Sequence, residues 1–470
     1  MAAPEGNHLH FIGIGGIGMS GIAAIFRQQG YTISGCDTDT NQKSIGLLRS
    51  LGCTITEGNG GPACSDPTIT AVVRTSAVKE DHPEVIAARK RGIPVLHRAE
   101  LLATLTKQRP TIAVSGAHGK TTTTALIGHL LTTAMHDPTI IVGGFMQNLG
   151  TNFRAGNGPF FVVEADESDR SFLLLSPLIA VITNIDLEHL DTYRDKEDVK
   201  ETFKKFIEKL PPYGHAIVNL DDPFSHELIK TLPDSLKAEV ITCGTAAEAD
   251  TRLVSYSLEA DCSHATVRLP HGGLVSFVLP LPGKHNLYNA LSACAVASIL
   301  QIPPFVIQQA LESFQGVEQR FTHRGTFPGA SVFDDYAHHP AEIASALAVA
   351  KKKNKGALHV VFQPHRFTRT QKLWDQFVEI LADPAIDELI LVPIYPASEP
   401  PIEGITSEKL VEAIHAQRSG NKVRLLPLEK DYQSLITALK QTVKKDDLVL
   451  FLGAGKVNRL AAQLAEISET

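Results

Sequence analysis

The stretch SGAHGKTTTTALIGHLL, beginning at Ser115, sets a glycine-flanked lysine ahead of four threonines and an apolar, helix-forming run. Gly116, Ala117, His118 and Gly119 make a loop after the strand-like TIAV, and Lys120, Thr121 and Thr122 open the helix. Amide groups at a helix N-terminus point toward an anion, and the helix dipole favours it. Lys120 would reach the terminal phosphates of a nucleotide, and the Thr121 hydroxyl would ligate magnesium. The spacing is shorter than the general P-loop pattern, whose first glycine would fall at Val114, yet strand, loop, GKT and helix follow in the right order. The bland alternative is a glycine turn with a surface lysine.

A P-loop needs a carboxylate for its metal. FFVVEADESD offers Glu164 at the end of an apolar run, where ligands gather in open α/β sheets, with Asp166, Glu167 and Asp169 as nearby competitors. LIAVITNIDLEHLD then presents Asn184, Asp186 and His189 at the end of a neighbouring strand. Two metals bridging phosphate oxygens and a second reactant are a common phosphoryl-transfer device.

A second loop, FIGIGGIGMSG, places Gly13, Gly15 and Gly18 in the dinucleotide spacing, with Asp37 where a ribose-binding acid would sit. Alone it predicts an NAD-dependent dehydrogenase. The same geometry would hold any nucleotide diphosphate, including that of a UDP-sugar. Together with a separate ATP loop it points to an enzyme that joins a nucleotide-linked substrate to something at the expense of ATP.

Elements must carry these loops. Strand-like and helix-like stretches alternate over the first ~100 residues, as in βα units around a parallel sheet. QRPTIAVSG starts a second unit, FFVVEADES, PLIAVITNID and HAIVNLDDP add strands, and Ile241 to Pro282 reads as an antiparallel extension. PGKHNLYNALSACAVASIL is a loop feeding a buried helix. SVFDDYAHHP, ALHVVFQPHR, ELILVPIYP and LVLFLGAG supply the strands of a third unit. The 470 residues suit about three domains. The boundaries read as 1–108, 109–317 and 318–470.

With 43% hydrophobic and 20% charged residues the composition is that of an ordinary globular protein, and a net charge of −7 argues against nucleic-acid binding. Cys36, Cys53, Cys64, Cys243, Cys262 and Cys294 are scattered without a C-x-x-C pair, which fits a reducing compartment rather than a disulfide framework or zinc site. No signal-peptide pattern opens the sequence and no apolar run is long enough for a membrane span, so a cytoplasmic location with no membrane partner is expected.

Seven motifs occur in order along nearly the whole chain: FIGIGGIGMSGIA, SGAHGKTTTT, EADESDRSFL, NIDLEHLDTY, GKHNLYNA, FDDYAHHPAEI and FQPHRFTRT. Together they resemble the Mur ligases. The resemblance implies an α/β chain of three domains: an N-terminal Rossmann-like domain for a UDP-substrate, a central P-loop ATPase-like domain with a mostly parallel sheet, and a C-terminal Rossmann-like domain that closes over the site. It implies ATP as co-substrate, Mg2+ (or Mn2+), and an amide bond between the lactyl carboxyl of UDP-N-acetylmuramate and the amine of L-alanine, in peptidoglycan precursor synthesis. Gly116 to Thr122 would bind ATP, Glu164 would bridge the metals and His189 would hold the second. His285 and Asn286 would approach the adenine, Arg320 the nucleotide, and Asp334 would sit where the third domain meets ATP. Gly15, Gly16, Ile17 and Gly18, with Ser76, would hold the UDP-sugar. His338, Arg366 and Arg369 would line the space for the acyl phosphate and the alanine. Gln319 stands where the family commonly has an arginine, and carbamylation of Lys204, Lys205 or another lysine is left open, as is the choice between monomer and homodimer.

The chemistry needs these charges. A carboxylate condenses with an amine only after its leaving group becomes phosphate, and the two anions that meet must be neutralised by Lys120, metal and arginine. His338 is a candidate for deprotonating the amine, against a turn that orders a strand end. Arg366 and Arg369, three apart, are read as sharing one face of a helical turn and gripping the alanine carboxylate, against a solvated surface pair. Rival readings are a ligase of the same family that recycles murein tripeptide, the dehydrogenase, and a non-enzymatic nucleotide-binding regulator.

Overall fold

The computed structural model describes residues 7–58, 66–189, 192–237, 239–397, 399–417, 422–429 and 431–467, so Cys64 lies outside the described residues. Three α/β domains follow one another, each built on its own sheet. The first sheet has strands β1 (His8–Ile12), β2 (Thr32–Asp37), β3 (Thr54–Glu57), β4 (Ile69–Arg74) and β5 (Val95–His97) in the order 3-2-1-4-5, all parallel. Its helices are α1 (Ile17–Gln28), α2 (Lys43–Ser50), α3 (Pro83–Lys90) and α4 (Arg98–Thr106). β1 is buried along its whole length, as a central parallel strand covered on both faces must be. Glu84 of α3, itself fully buried, accepts hydrogen bonds from His10 and Cys36 and ties that helix to the sheet.

The second sheet is the largest. Its strands are β6 (Thr111–Ser115), β7 (Thr139–Met146), β8 (Thr151–Arg154), β9 (Phe161–Glu164), β10 (Ile179–Ile182), β11 (His215–Asn219), β12 (Val240–Gly244), β13 (Thr251–Leu258), β14 (Ser263–Arg268) and β15 (Leu274–Leu279). They run in the order 15-14-13-12-11-10-6-9-7-8. The antiparallel extension expected from Ile241 starts later than the sequence suggests. β12 pairs parallel with β11 and with β13, and the antiparallel ladder begins only between β13 and β14. Ile241 and Thr242 lie on a strand that prolongs the parallel core, where alternation is weak as a guide.

Two helices hold the chemistry of this domain: α5 (Lys120–Thr133), and a long one, Lys284–Ile299, buried from Leu287 through most of its length. Apolar packing is continuous from the first sheet into the second, with Met19 and Ile22 of α1 in the same core as Ile141 and Phe153.

The chain divides into two compact units. One runs to Leu258 and takes in Ser263–Gly316; the other holds Glu259–Cys262 and the chain from Val317. The second unit carries the third sheet: β16 (Thr322–Phe327), β17 (Ala330–Asp335), β18 (Leu358–Phe362), β19 (Glu388–Leu391), β20 (Lys422–Leu425) and β21 (Leu448–Leu452), in the order 16-17-21-18-19-20. Among the described residues no helix is long and apolar enough to cross a membrane.

His359 of β18 is buried between Glu388 and Asp447, at 2.8 and 3.1 Å. Burial opposes its charge, but the two carboxylates win and raise its pKa, while Glu388, buried yet bonded by His359, Thr442 and Arg424, is held at about 2. A raised histidine stabilises fully below its unfolded pKa near 6.5, and that contribution is lost as pH climbs through the folded value. The depressed Glu388 stabilises above about 4.5 and loses its contribution as pH falls toward 2. The contribution of this pair is therefore largest between about pH 4.5 and 6.5, and His359→Gln should flatten the alkaline limb of the C-terminal unit's melting profile. The one tryptophan, Trp374, lies in this unit and its fluorescence reads that transition alone. An unchanged alkaline limb in the variant would refute the assignment.

Candidate functional site

The P-loop glycines are fixed by sterics. Gly116 and Gly119 have φ of +132° and +82°, and a methyl group would lie 2.2 Å from Thr183 Oγ1 at the first and 2.5 Å from Asn289 Oδ1 at the second. The loop is clamped from the end of β10. Asn184 Oδ1 accepts the His118 N–H at 2.9 Å and its amide donates to the His118 carbonyl, which also takes the Thr183 hydroxyl. Asn289, from the helix that starts at Lys284, accepts the Thr123 hydroxyl and donates to Asn286 Oδ1. Asn286 itself donates to the Pro282 carbonyl, so it ends a hydrogen-bonded chain running from α5 to the GKHN turn, whose His285 is exposed.

Lys120 Nζ donates to the carbonyls of Gly116 (2.6 Å) and Ala117 (3.1 Å) and to Glu167 Oε1 (2.8 Å). Burial works against its charge, but Glu167, Asp166 and Glu164 overcome that and raise its pKa. It remains a cation at any working pH. Parallel pairing sets Val114 opposite Glu164, and the Glu164 carboxylate faces Thr121 Oγ1 at 3.2 Å. Its other oxygen accepts the Gly143 N–H of β7 at 2.8 Å, and a methyl group at residue 143 would collide with that carboxylate at 2.5 Å.

His189, at φ +52°, sets Nε2 3.6 Å from Glu167 and 3.7 Å from Glu188. These three residues converge closely enough to share an ion. The sequence singled out Glu164 and His189 and named Glu167 as a competitor, but gave no role to Glu188. The donor set suits a hard divalent cation: carboxylate oxygens of Glu167 and Glu188 with one imidazole. Glu167 Oε2 is buried and makes no hydrogen bond among the described residues, as an oxygen reserved for a cation would. Lys205 is exposed on the helix Lys196–Ile207 and pairs with Glu201 at 4.0 Å.

The first glycine loop is held differently from a dinucleotide loop. Asp37 is buried. Its Oδ2 accepts the Gly15 N–H at 2.9 Å, and its Oδ1 accepts from Asp39 N–H and Gln42. The expectation that Asp37 reads a ribose is corrected: both its oxygens bind the chain's own loops. Gly16 caps α1, Ile17 and Gly18 begin it, and Gly16 is exposed. Ser76 bridges to the central domain, its hydroxyl 2.5 Å from Asp169 and 3.1 Å from His97. Beside it Arg98 donates to Asp166 at 2.5 Å. Burial would raise the Asp166 pKa, but Arg98 and Lys120 outweigh it and hold the carboxyl at about 2.

In the C-terminal unit, the view of Arg366 and Arg369 as one helical face is corrected. Arg366 precedes the helix Phe367–Lys372, at φ +72°, and only Arg369 lies within it. A residue with left-handed backbone at a helix start aims its side chain off the helical register. Arg366 approaches Glu399 at 3.8 Å, whereas Arg369 Nη1 faces His365 Nδ1 at 3.3 Å. His365 is pushed down to about 3 by burial and by His338, Arg369 and Arg366, so it stays a neutral acceptor. It packs 5.5 Å from His338 and stacks on Tyr395. The FQPHR motif contains His365, but nothing in its spacing gave it this role.

His338 Nδ1 lies 2.9 Å from the Tyr336 carbonyl, which sets the proton on Nδ1 and the neutral ring's lone pair on Nε2. The next residue, His339, is the cap of the helix Pro340–Lys353. Asp334 is fully buried with both oxygens on Arg324, at 2.9 and 2.8 Å. Its expected place against ATP is corrected: the carboxylate is fully buried, is spent on the partly exposed Arg324, and does not itself reach the surface. Arg320 lies over the Tyr336 ring at 5.2 Å, and Gln319, at φ +60°, accepts the Tyr336 N–H through its carbonyl. The residue that replaces the family's arginine thus acts here through its backbone.

Three domain descriptions match the chain in order: the Mur ligase family catalytic domain over residues 8–110, the Mur ligase middle domain over 114–297, and the Mur ligase glutamate ligase domain over 319–455. A UDP-N-acetylmuramate–L-alanine ligase of Desulfotalea psychrophila is 45% identical over 98% of this chain and 98% of its own. One from Syntrophus aciditrophicus is 44% identical over 97% of this chain and 92% of its own. Among solved structures, the UDP-N-acetylmuramate–alanine ligase of Thermotoga maritima superposes with a TM-score of 0.81 at 27% identity, covering 98% of this chain and 99% of that one. A murein peptide ligase from Psychrobacter arcticus has the same fold, with a TM-score of 0.72 at 24% identity over 98% of this chain and 99% of that one. With more than two fifths of its residues shared over nearly its full length, the chain belongs to the Mur ligase family.

Proposed function

We propose that this chain joins the lactyl carboxyl of UDP-N-acetylmuramate to the amine of L-alanine, with cleavage of ATP to ADP and phosphate, in cytoplasmic synthesis of peptidoglycan precursors. The observation that carries the reading is that one compact unit bears two anion loops, Gly15–Gly18 and Gly116–Lys120, bridged by Arg98 and Asp166. A dehydrogenase needs one such loop and an acid open to the ribose; Asp37 is not open.

In the first step a carboxylate oxygen attacks the γ-phosphorus, the bond to the leaving ADP oxygen breaks, and an acyl phosphate forms. Lys120 neutralises charge that spreads over the phosphoryl oxygens, while Asn184 and Thr183 hold the loop that delivers its amides. Thr121 and Glu164 would hold one Mg2+ (or Mn2+), and His189 with Glu167 and Glu188 a second; such ions supply further positive charge to the phosphates. His285 and Asn286 would flank the adenine and Arg320 would reach the nucleotide. Gly15–Gly18 and Ser76 would bind the UDP-sugar.

In the second step the alanine amine attacks the acyl carbon and phosphate leaves with the former carboxylate oxygen. His338, with its lone pair on Nε2, would take the amine proton, and Arg366 and Arg369 would hold the alanine carboxylate. His365 keeps Arg369 aimed without competing for protons. Asp334 supports the strand through Arg324.

The test is phosphate release from Mg-ATP with UDP-N-acetylmuramate and one acceptor at a time. Release that requires both UDP-N-acetylmuramate and L-alanine is expected. Release only with murein tripeptide would move the chain to the recycling branch, and none with any acceptor would refute the reading.

A further inference from the structure

The glycine loop of the first domain has fewer donors for an anion than its motif suggests. The Gly15 N–H is bound by Asp37 and the Gly16 N–H by the Gly13 carbonyl. That leaves the amides at the start of α1 and the dipole of that helix to face a diphosphate carrying at least two negative charges. A fixed cation beside the loop would make up the difference, and one stands there. A methyl group built on Gly18 would lie 3.4 Å from Arg98 Nη1, so the guanidinium sits over the loop. Its other terminal nitrogen, Nη2, is on Asp166. Arg98 is about one fifth exposed and Asp166 about one third, so the pair is open to a competing anion on one side.

His97, next to Arg98, does not supply this charge. Its Nδ1 accepts the Ala99 N–H at the cap of α4, so the ring proton is on Nε2, toward Ser76 and Asp169. Burial lowers its pKa further.

We propose that Arg98 is a positioning residue for the diphosphate of the nucleotide-sugar, with Asp166 as the counter-ion it exchanges for that diphosphate. This rests on the reading of the first loop as the UDP-substrate site. The fork of a guanidinium suits the exchange, because two parallel N–H bonds to phosphate oxygens replace one to a carboxylate. Asp166 then faces Lys120 without Arg98 beside it, so filling the first loop alters the field at the second.

The test compares binding of UDP and of uridine, which lacks the diphosphate, to the full chain and to Arg98→Gln, Arg98→Lys and Asp166→Asn, by NMR titration. Arg98→Gln is expected to weaken UDP by about 10- to 100-fold, the size of one lost charge-assisted contact, and to leave uridine within about twofold. Arg98→Lys should recover part of the loss, and Asp166→Asn should bind UDP as tightly or more tightly, its competing charge gone. In turnover, KM for UDP-N-acetylmuramate should rise, while KM for ATP, read at saturating UDP-N-acetylmuramate where Arg98 has left Asp166 in the unmodified chain as well, should hold. A merely structural arginine would weaken uridine and UDP alike, and that result overturns the proposal. So does UDP binding unchanged in Arg98→Gln, or weakened in Asp166→Asn. If the unmodified chain binds neither UDP nor UDP-N-acetylmuramate, the reading of the first loop itself fails.

Discussion

Lys120→Ala is expected to lower ligase turnover by about 10³-fold or more, because the cation nearest the transferred phosphoryl group is lost where water cannot replace it. The structure adds a second consequence. All three Nζ donors of Lys120 are taken by the protein, and one of them neutralises Glu167, whose side chain is 5% exposed. Removing the lysine leaves a buried carboxylate without its partner, which destabilises by about 3–5 kcal/mol. Loss of activity and loss of fold would then be confounded. The pair Lys120→Met with Glu167→Gln removes both charges and keeps the packing. It should melt close to the unmodified chain and still release no phosphate. Turnover in that double variant would refute the assignment of Lys120 to the phosphates.

Glu164→Gln should lower turnover by about 10²-fold and shift the Mg2+ requirement to higher concentration. The amide keeps an oxygen for the Gly143 N–H, so melting should change little. What it loses is the negative charge beside Thr121 Oγ1, and a hard cation depends on charged oxygen. The check is a Mg2+ titration of phosphate release at saturating substrates. An unchanged midpoint would remove Glu164 from the metal site.

The strands that carry the chemistry were legible because they are short apolar runs closed by polar residues. TIAVS, FVVE and IAVI are parallel and buried on both faces, and their ends mark where Lys120, Glu164 and Asn184 must emerge. TIIVGGFM was not read as a strand, since two glycines break its pattern, and yet Gly143 is what lets Glu164 approach. THRGTF and TITE are polar or half-exposed and gave no signal. Roles that depend on one side chain were visible from type and spacing. Roles that depend on a partner were not: Asn289 over Gly119 and Arg98 beside Gly18 come from segments far apart in sequence that only the fold brings together, and His365 meets Arg369 four residues on only through the turn that precedes the helix Phe367–Lys372. Arg366 misled for a local reason, a left-handed backbone that no spacing rule foresees.

The chain of bonds from Thr123 through Asn289 to Asn286 has a further consequence. It yokes the helix that would grip the phosphates to the helix whose first residues would flank the base, so the two ends of the nucleotide are gauged by a single stiff caliper. A larger or differently edged base would not simply bind less well; it would displace the triphosphate along the caliper and spoil its alignment for transfer. Discrimination between ATP and GTP should therefore register in kcat as well as in KM, and Asn289→Ala should relax it in kcat first.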